Sequence, residues 1–192
     1  MTDFRHVIFD LDGTLVDSLP GISWSIDAAF ADCGLPQPSC NVQNYLGPPI
    51  RSMLAAISGI SDAARLDELE QAFRRSYDSE GWRRTTFRVG VPDLLSGLAA
   101  EGLNLFIATN KPEPVTRKIL RELDIAGLFQ EVACRGTQGS KAQLLTALLE
   151  RRGLNPAECL MVGDTKEDSD AAAAAGIACK IVNPDFSEVV TL

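Results

Sequence analysis

The sequence predicts an α/β protein whose core is a doubly wound, Rossmann-like parallel sheet, with an all-helical segment inserted into it. Short apolar runs that suit buried strands alternate with segments of helical periodicity. Between residues 19 and 85, helical periodicity continues without any strand. Strands that alternate with helices imply right-handed βαβ units. We therefore expect a core domain formed by residues 1–17 and 86–192, and a helical domain formed by residues 18–85.

Apolar runs predict the five strands of the sheet. The first, Val7-Ile8-Phe9, is apolar on both faces, as a strand covered by helices on both sides must be. The same signal returns four times, more weakly in the third run. The predicted strands are residues 7–9, 103–108, 131–134, 159–162 and 178–182.

Helical spacing of apolar residues predicts the helices between these strands. Pro92 suits a first helical turn, and Gly176 suits the position just after a helix. The predicted core helices are residues 92–100, 114–123, 141–152 and 168–175. In the insert, helical patterns cover residues 22–33, 50–57 and 66–77, and prolines mark the turns between them.

Composition excludes several classes of function. The formal charge of −8 argues against nucleic acid as a partner. No stretch approaches the ~20 apolar residues that cross a bilayer, and acids interrupt the N-terminal region where a signal peptide would be apolar. Five scattered cysteines suit reduced thiols, so we expect a cytoplasmic protein. With His6 as the one histidine, the sequence argues against a histidine-based triad or zinc centre, and carboxylates, hydroxyls and lysine must carry the chemistry.

Acidic residues cluster directly after the first predicted strand. Asp10 and Asp12 are followed at once by Gly13 and Thr14, and Asp17 comes soon after. Two like charges about 4 Å apart near a protein surface cost roughly 4 kcal/mol. A cation is therefore expected among these carboxylates.

Polar residues also come directly after two other predicted strands. Thr109, Asn110 and Lys111 follow the second, and Asp164 follows the fourth, with Asp168 four residues further on. Ligands of a doubly wound sheet bind beyond the carboxyl ends of its strands. Lys141 opens the helix before the fourth strand and is expected close to the same edge.

These residues resemble the four motifs of the haloacid dehalogenase-like phosphohydrolase superfamily. The first motif resembles residues 10–18, the second Thr109, the third Lys141 and the fourth residues 163–168. The helical insert lies where members with a helical cap carry theirs. The run Thr-Asn-Lys-Pro at 109–112 resembles the phosphoglycolate-phosphatase-like branch. The resemblance implies a Mg²⁺-dependent phosphatase of small phosphorylated metabolites, phosphoglycolate-like or nucleotide, acting as a monomer or homodimer.

The resemblance also assigns catalytic roles. Asp10 would attack phosphorus and form an aspartyl-phosphate. Asp12 would protonate the leaving oxygen and later take a proton from water. Thr109 and Lys141 would bind phosphoryl oxygens. Lys111 is the alternative to Lys141 for this role.

The same resemblance assigns the metal and further phosphate contacts. Mg²⁺ prefers oxygen ligands. The expected ligands are the side chains of Asp10, Asp164 and Asp168, with the backbone carbonyl of Asp12. The expected phosphate contacts are backbone N–H groups of Gly13 and Thr14 and the amide of Asn110.

The insert is expected to carry specificity, because a cap closes over the core and excludes water. Residues 46–51 resemble the substrate loop of such caps, and Arg51 could reach a second anionic group of the substrate. The alternative for Arg51 is a solvated helix arginine.

Other functions remain open on the sequence. A sugar phosphomutase of the same superfamily shares every catalytic motif. A response-regulator receiver also uses acids, a threonine and a lysine on a parallel sheet, but the insert and the Asp10-x-Asp12 pair argue against it. A dehalogenase is disfavoured, because its chemistry needs no acid at position 12. A protein that kept the fold and lost activity is disfavoured by the full motif set.

Overall fold

The computed structural model of the chain describes residues 4–46, 49–135 and 139–182. The chain divides into two compact units, Met1–Asp17 with Thr86–Leu192 and Ser18–Thr85. The division falls where the helical pattern without strands begins and ends. Within the described ranges, no helix is both long enough and apolar enough to span a bilayer.

A five-stranded parallel sheet forms the centre of the first unit and confirms the predicted fold class. Its strands are β1 (His6–Phe9), β4 (Asn104–Thr109), β5 (Phe129–Cys134), β6 (Cys159–Gly163) and β7 (Ala178–Ile181). Their order across the sheet is β5-β4-β1-β6-β7, so β1 is central. In this register Ile8 lies between Phe106 on one side and Met161 on the other.

Four helices of this unit connect the strands. They are α4 (Val91–Ala100), α5 (Glu113–Glu122), α6 (Lys141–Arg152) and α7 (Lys166–Ala175). Leu145 and Leu148 of α6 are fully buried in one cluster with Ile8 and Met161 of the sheet. Full burial of such a side chain contributes about 1.5–3 kcal/mol, so these leucines hold α6 against the sheet.

A short antiparallel ribbon was not predicted from the sequence. It consists of β2 (Val16–Asp17) and β3 (Thr86–Phe87), which pair with each other at the two points where the chain leaves and re-enters the first unit. Two-residue strands carry no detectable periodicity, which is why the pattern missed them.

The second unit is helical, as its sequence pattern indicated. It contains α1 (Leu19–Asp32), α2 (Ile50–Ser58) and α3 (Ala63–Ser79), with 3₁₀ turns at Val42–Tyr45 and Gly81–Arg84. Ile26 and Ala29 of α1, Leu54 of α2 and Leu69 of α3 are fully buried. Asp62 caps α3 by accepting a hydrogen bond from the backbone N–H of Arg65 at 2.9 Å.

Candidate active site

The candidate site lies at the carboxyl end of the sheet in the first unit. Strands β4, β1 and β6 end side by side there. Thr109 closes β4, Asp10 follows β1, and Asp164 follows β6. Parallel strands bring the residues after their carboxyl ends to one edge of the sheet. The order of the strands therefore brings together residues that are far apart in the sequence.

Lys141 is the central cation of the site. Its Nζ donates to Asp10 Oδ1 at 2.6 Å and forms an ion pair with Asp168 Oδ1. Burial disfavours the charged ammonium, but the charges of Asp10 and Asp168 outweigh burial and raise the pKa of Lys141. A capping box between Ser140 and Gln143 fixes the start of α6. The lysine therefore stays charged and is held in place by the helix that it opens.

Asp168 both caps a helix and faces the site. Its Oδ2 accepts hydrogen bonds from the Thr165 backbone N–H at 3.0 Å and from Thr165 Oγ1 at 2.7 Å. Its other oxygen faces Lys141. Asp168 is fully buried. Because the capping box of α7 holds one of its carboxylate oxygens, it also determines where the second oxygen points.

A second lysine serves a different aspartate. Lys111 Nζ donates to both carboxylate oxygens of Asp12 at 3.0 Å, and the lysine side chain is 6% exposed. The backbone N–H of Lys111 donates to Thr109 Oγ1 at 3.2 Å. A hydroxyl that accepts this bond keeps its own proton for another acceptor. Lys141 thus pairs with Asp10 and Lys111 pairs with Asp12, so the two lysines do not compete for one role.

The geometry of three carboxylates fits a divalent cation. Asp10, Asp164 and Asp168 each offer one oxygen, and these oxygens lie within 4.8 Å of one another. Oxygen ligands of an octahedral Mg²⁺ at about 2.1 Å are at most ~4.2 Å apart. Carboxylates are also the ligand type that Mg²⁺ prefers. The donor set therefore suits this ion, and the oxygens lie within about 0.6 Å of the widest spacing that it allows.

The electrostatics of the site favour the same conclusion. Burial raises the pKa of Asp10 to about 7; Lys141 lowers this pKa, while Asp168 raises it. Burial likewise raises the pKa of Asp164. Among the described residues, the carboxyl groups of Asp10, Asp164 and Asp168 lie together, and the ammonium group of Lys141 pairs with two of them, so the cluster keeps an excess of acidic groups that a divalent cation can balance.

Gly13 leaves the space that Asp164 occupies. Its φ is +80°, and a Cβ at this position would collide with the Asp164 carboxylate. Thr14 Oγ1 donates to Asp164 Oδ1 at 3.0 Å. The backbone N–H groups of Gly13 and Thr14 donate within the turn, to Val16 O at 2.8 Å and Leu11 O at 3.3 Å. The turn therefore positions a carboxylate, whereas the sequence suggested that these two N–H groups face the phosphate.

Arg51 lies in the helical unit, where it contacts acidic neighbours. Its Nη1 pairs with the carboxylates of Asp67 and Glu70. A substrate anion would have to compete with both carboxylates for Arg51. Its suggested contact with a second anionic group of the substrate remains a prediction. Of the loop predicted at residues 46–51, residues 47–48 lie outside the described ranges.

Contacts of Asn110 and Arg88 were not foreseen. Asn110 Nδ2 donates to Glu167 Oε2 at 2.9 Å, which ties the end of β4 to the start of α7 and uses one donor that was expected to face the phosphate. Arg88 is buried and donates to the carbonyl oxygen of Gly13. A long polar side chain in a loop carries no sequence signal that reveals such partners.

Comparison with known proteins places this site in a family. A family model described as "Haloacid dehalogenase-like hydrolase" matches residues 7–182, which includes every predicted site residue. The chain belongs to the haloacid dehalogenase-like hydrolases. This finding confirms the resemblance that the strand-end motifs indicated.

Curated relatives in this family carry different names. "Tyrosine-protein kinase PtkA" of Mycobacterium tuberculosis is 38% identical over 92% of this chain and 61% of its own length. A "5'-nucleotidase" of Pseudomonas aeruginosa is 32% identical over 92% of this chain and 81% of its own. A "Phosphoglycolate phosphatase" of Aquifex aeolicus is 33% identical over 90% of this chain and 81% of its own.

A solved structure of a mycobacterial relative has the same fold. The structure of Mycobacterium tuberculosis PtkA matches with a TM-score of 0.84 and 36% identity, over 93% of this chain and 83% of the solved one. The chain nevertheless spans 61% of the full length of the curated mycobacterial protein. The comparisons therefore establish family and fold, and the reaction has to be argued from the site.

Proposed function

We propose that this protein is a cytoplasmic, Mg²⁺-dependent phosphatase of small phosphate monoesters that works through an aspartyl-phosphate on Asp10. The main support for this proposal is that five polar residues converge at one edge of the sheet: Asp10, Lys141, Thr109, Asp164 and Asp168. The names of two relatives, a phosphoglycolate phosphatase and a 5'-nucleotidase, support phosphoglycolate-like or nucleotide substrates.

The metal would be held by the carboxylates that already lie together. Asp10, Asp164 and Asp168 are the side-chain ligands, and the backbone carbonyl of Asp12 is a further one. When bound, Mg²⁺ neutralises charge on a phosphoryl oxygen. Thr14 and the Thr165 cap hold Asp164 and Asp168 through the hydrogen bonds described above.

In the first step, an Asp10 oxygen attacks phosphorus and the bond from phosphorus to the ester oxygen breaks. Asp12 gives its proton to that leaving oxygen, so the product departs as an alcohol. Lys141, hydrogen-bonded to Asp10, offsets the charge that the phosphoryl group brings, and the free proton of the Thr109 hydroxyl can be donated to a phosphoryl oxygen.

In the second step, water attacks the phosphorus of the aspartyl-phosphate. Asp12 takes the proton of that water, the bond from phosphorus to the Asp10 oxygen breaks, and inorganic phosphate leaves. Both steps require Asp12 to exchange one of its contacts with Lys111 for a contact with substrate or water. The helical unit, acting as a cap, would limit the access of bulk water and set the substrate range.

Phosphate release from a panel of monoesters tests the proposal. The panel contains phosphoglycolate, nucleoside monophosphates and sugar phosphates, each with Mg²⁺ and with EDTA. We expect turnover that requires Mg²⁺ and is lost in Asp10→Asn and Asp12→Asn, whereas the exposed helix variant Asp27→Asn behaves like the wild type. Turnover that survives in Asp10→Asn or in EDTA would contradict the mechanism. If none of the compounds releases phosphate, the proposed phosphatase activity is refuted.

A second candidate is phosphoryl transfer to a tyrosine hydroxyl. It is favoured by the name of the mycobacterial relative at 38% identity. Incubation with ATP and a tyrosine-containing peptide separates the two reactions, because the phosphatase yields free phosphate and the kinase yields phosphotyrosine. Interconversion of sugar phosphates in the same assay series would indicate the phosphomutase instead.

A further inference from the structure

Arg88 is a buried arginine that the mechanism above does not use. It directly follows β3 and is 5% exposed. Its backbone N–H donates to Leu15 O at 3.1 Å, and its carbonyl accepts from the Val91 N–H at 3.2 Å. The backbone of Arg88 is therefore fixed on both sides, and its side chain starts from a defined position.

The guanidinium of Arg88 reaches the loop after β1. Its Nη1 donates to the carbonyl oxygen of Gly13. Hydrogen bonds from a charged donor are shorter and roughly twice as strong as neutral ones. A buried guanidinium is costly unless it is paired, and the charges of Asp164 and Asp17 act on Arg88 in the favourable sense. The guanidinium therefore bonds to the loop after β1 and lies within electrostatic reach of Asp164.

The contact matters because Gly13 has no side chain to restrict its backbone. Its φ of +80° is a conformation that glycine adopts without strain. The Gly13 N–H donates to Val16 O at 2.8 Å, which orients the peptide plane that contains the Asp12 carbonyl. The bond from Arg88 orients the next plane, between Gly13 and Thr14, and adds to the longer bond from the Thr14 N–H to Leu11 O at 3.3 Å. Both peptide planes that flank Gly13 are therefore held.

The second of these planes leads directly to a carboxylate of the site. It sets the position of Thr14, whose Oγ1 donates to Asp164 Oδ1 at 3.0 Å. We propose that Arg88 is a positioning residue for the divalent-cation site: by holding the Gly13 carbonyl it places the Thr14 hydroxyl, and through it Asp164. This inference rests on the proposed Mg²⁺-dependent function.

Two simpler roles of Arg88 predict different results for Mg²⁺. If Arg88 acted only through its charge, its removal would make the cluster more negative and Mg²⁺ would bind more tightly. If it only stabilised the fold, the folded variant would bind Mg²⁺ as the wild type does. Of the three roles, only positioning predicts that the variant binds Mg²⁺ more weakly, because the loss of groups that orient metal ligands typically lowers metal affinity about 10–100-fold.

Isothermal titration calorimetry of metal-free protein with Mg²⁺ tests the proposal without using activity. The variants are Arg88→Lys, which keeps the charge on a shorter side chain without the planar fork, and Arg88→Met, which removes the charge. The matched control is Arg117→Met, at an arginine whose side chain is 53% exposed in an ion pair with Glu113. We expect affinity to fall about tenfold or more in both Arg88 variants and to stay unchanged in the control.

Activity assays give a second readout, because the Mg²⁺ concentration at half-maximal rate should rise in the Arg88 variants while KM at saturating Mg²⁺ stays the same. Unchanged or tighter Mg²⁺ binding in folded Arg88→Lys overturns the proposal, and this variant carries the test if Arg88→Met does not fold. A wild-type protein that binds no Mg²⁺ overturns the proposed function itself, so the two failures are distinguishable.

Discussion

Replacement of Asp10 by asparagine should stabilise the metal-free protein at neutral and alkaline pH. Burial raises the pKa of Asp10 from 3.8 to about 7, although Lys141 opposes this effect. A carboxyl group with a raised pKa binds its proton more tightly in the folded state, so stability falls as the pH rises from about 4 to about 7. Asparagine has no charge to lose, and its Oδ1 can still accept the hydrogen bond from Lys141.

The pKa shift of Asp10 sets the size of the effect. One pKa unit is worth about 1.36 kcal/mol, so the full shift corresponds to on the order of 4 kcal/mol. This figure already includes the attraction between Lys141 and the Asp10 carboxylate, because Lys141 lowers the pKa that burial raises. In the variant, Lys141 keeps Asp168 as its charged partner. We expect Asp10→Asn to unfold with a free energy about 2–4 kcal/mol higher at pH ~8 and within about 1 kcal/mol of the wild type near pH ~4.5.

Urea unfolding in EDTA across this pH range measures the difference. Asp27→Asn, at an exposed residue of α1, serves as the control and should show no such pH dependence. At one hundred times the wild-type dissociation constant, Mg²⁺ should stabilise the wild type by about 2.7 kcal/mol and Asp10→Asn by less. A difference that does not change with pH, or a variant less stable than the wild type at pH ~8, would refute the reasoning.

Three further perturbations test the site. Gly13→Ala should lower Mg²⁺ affinity in calorimetry because its Cβ meets the Asp164 carboxylate, whereas Gly102→Ala, at a φ of +79° with open space around it, should lose only stability. Lys141→Met should destabilise the metal-free protein by about 3–5 kcal/mol in urea unfolding, since it leaves buried carboxylates unpaired; an unchanged midpoint would contradict this. Removal of Mg²⁺ with EDTA should lower the thermal midpoint of the wild type, and an unchanged midpoint would argue against a resident cation.

The sequence could predict the centre of the candidate site because that centre depends on where strands and helices end. An apolar run that stops at Phe9 places Asp10 at the sheet edge, and the helix that opens at Lys141 has a detectable start. A parallel sheet then gathers the residues beyond its carboxyl ends at one edge. For these residues, local pattern and overall fold point to the same arrangement.

The remaining contacts depend on the directions of long side chains, which local pattern does not determine. Lys111 reaches back to Asp12 over 99 positions, and Arg88 reaches Gly13 over 75. Arg51 pairs with carboxylates of the neighbouring helix α3, a partner that no motif specifies. Each partner becomes defined only when tertiary packing has placed both backbones.

The central position of β1 also has a consequence for biosynthesis. This strand leaves the ribosome before both of its neighbours, because β4 is made about 100 residues later and β6 about 150 residues later. At about 5–20 residues per second, the interval before β6 exists is roughly 8–30 s. The helical unit, with all its residues between 18 and 85, is complete well before that. Throughout this interval the apolar strand Val7-Ile8-Phe9 lacks a complete sheet to join, so an apolar segment and an unpaired strand edge of the newly made chain stay open to aggregation until synthesis reaches β6.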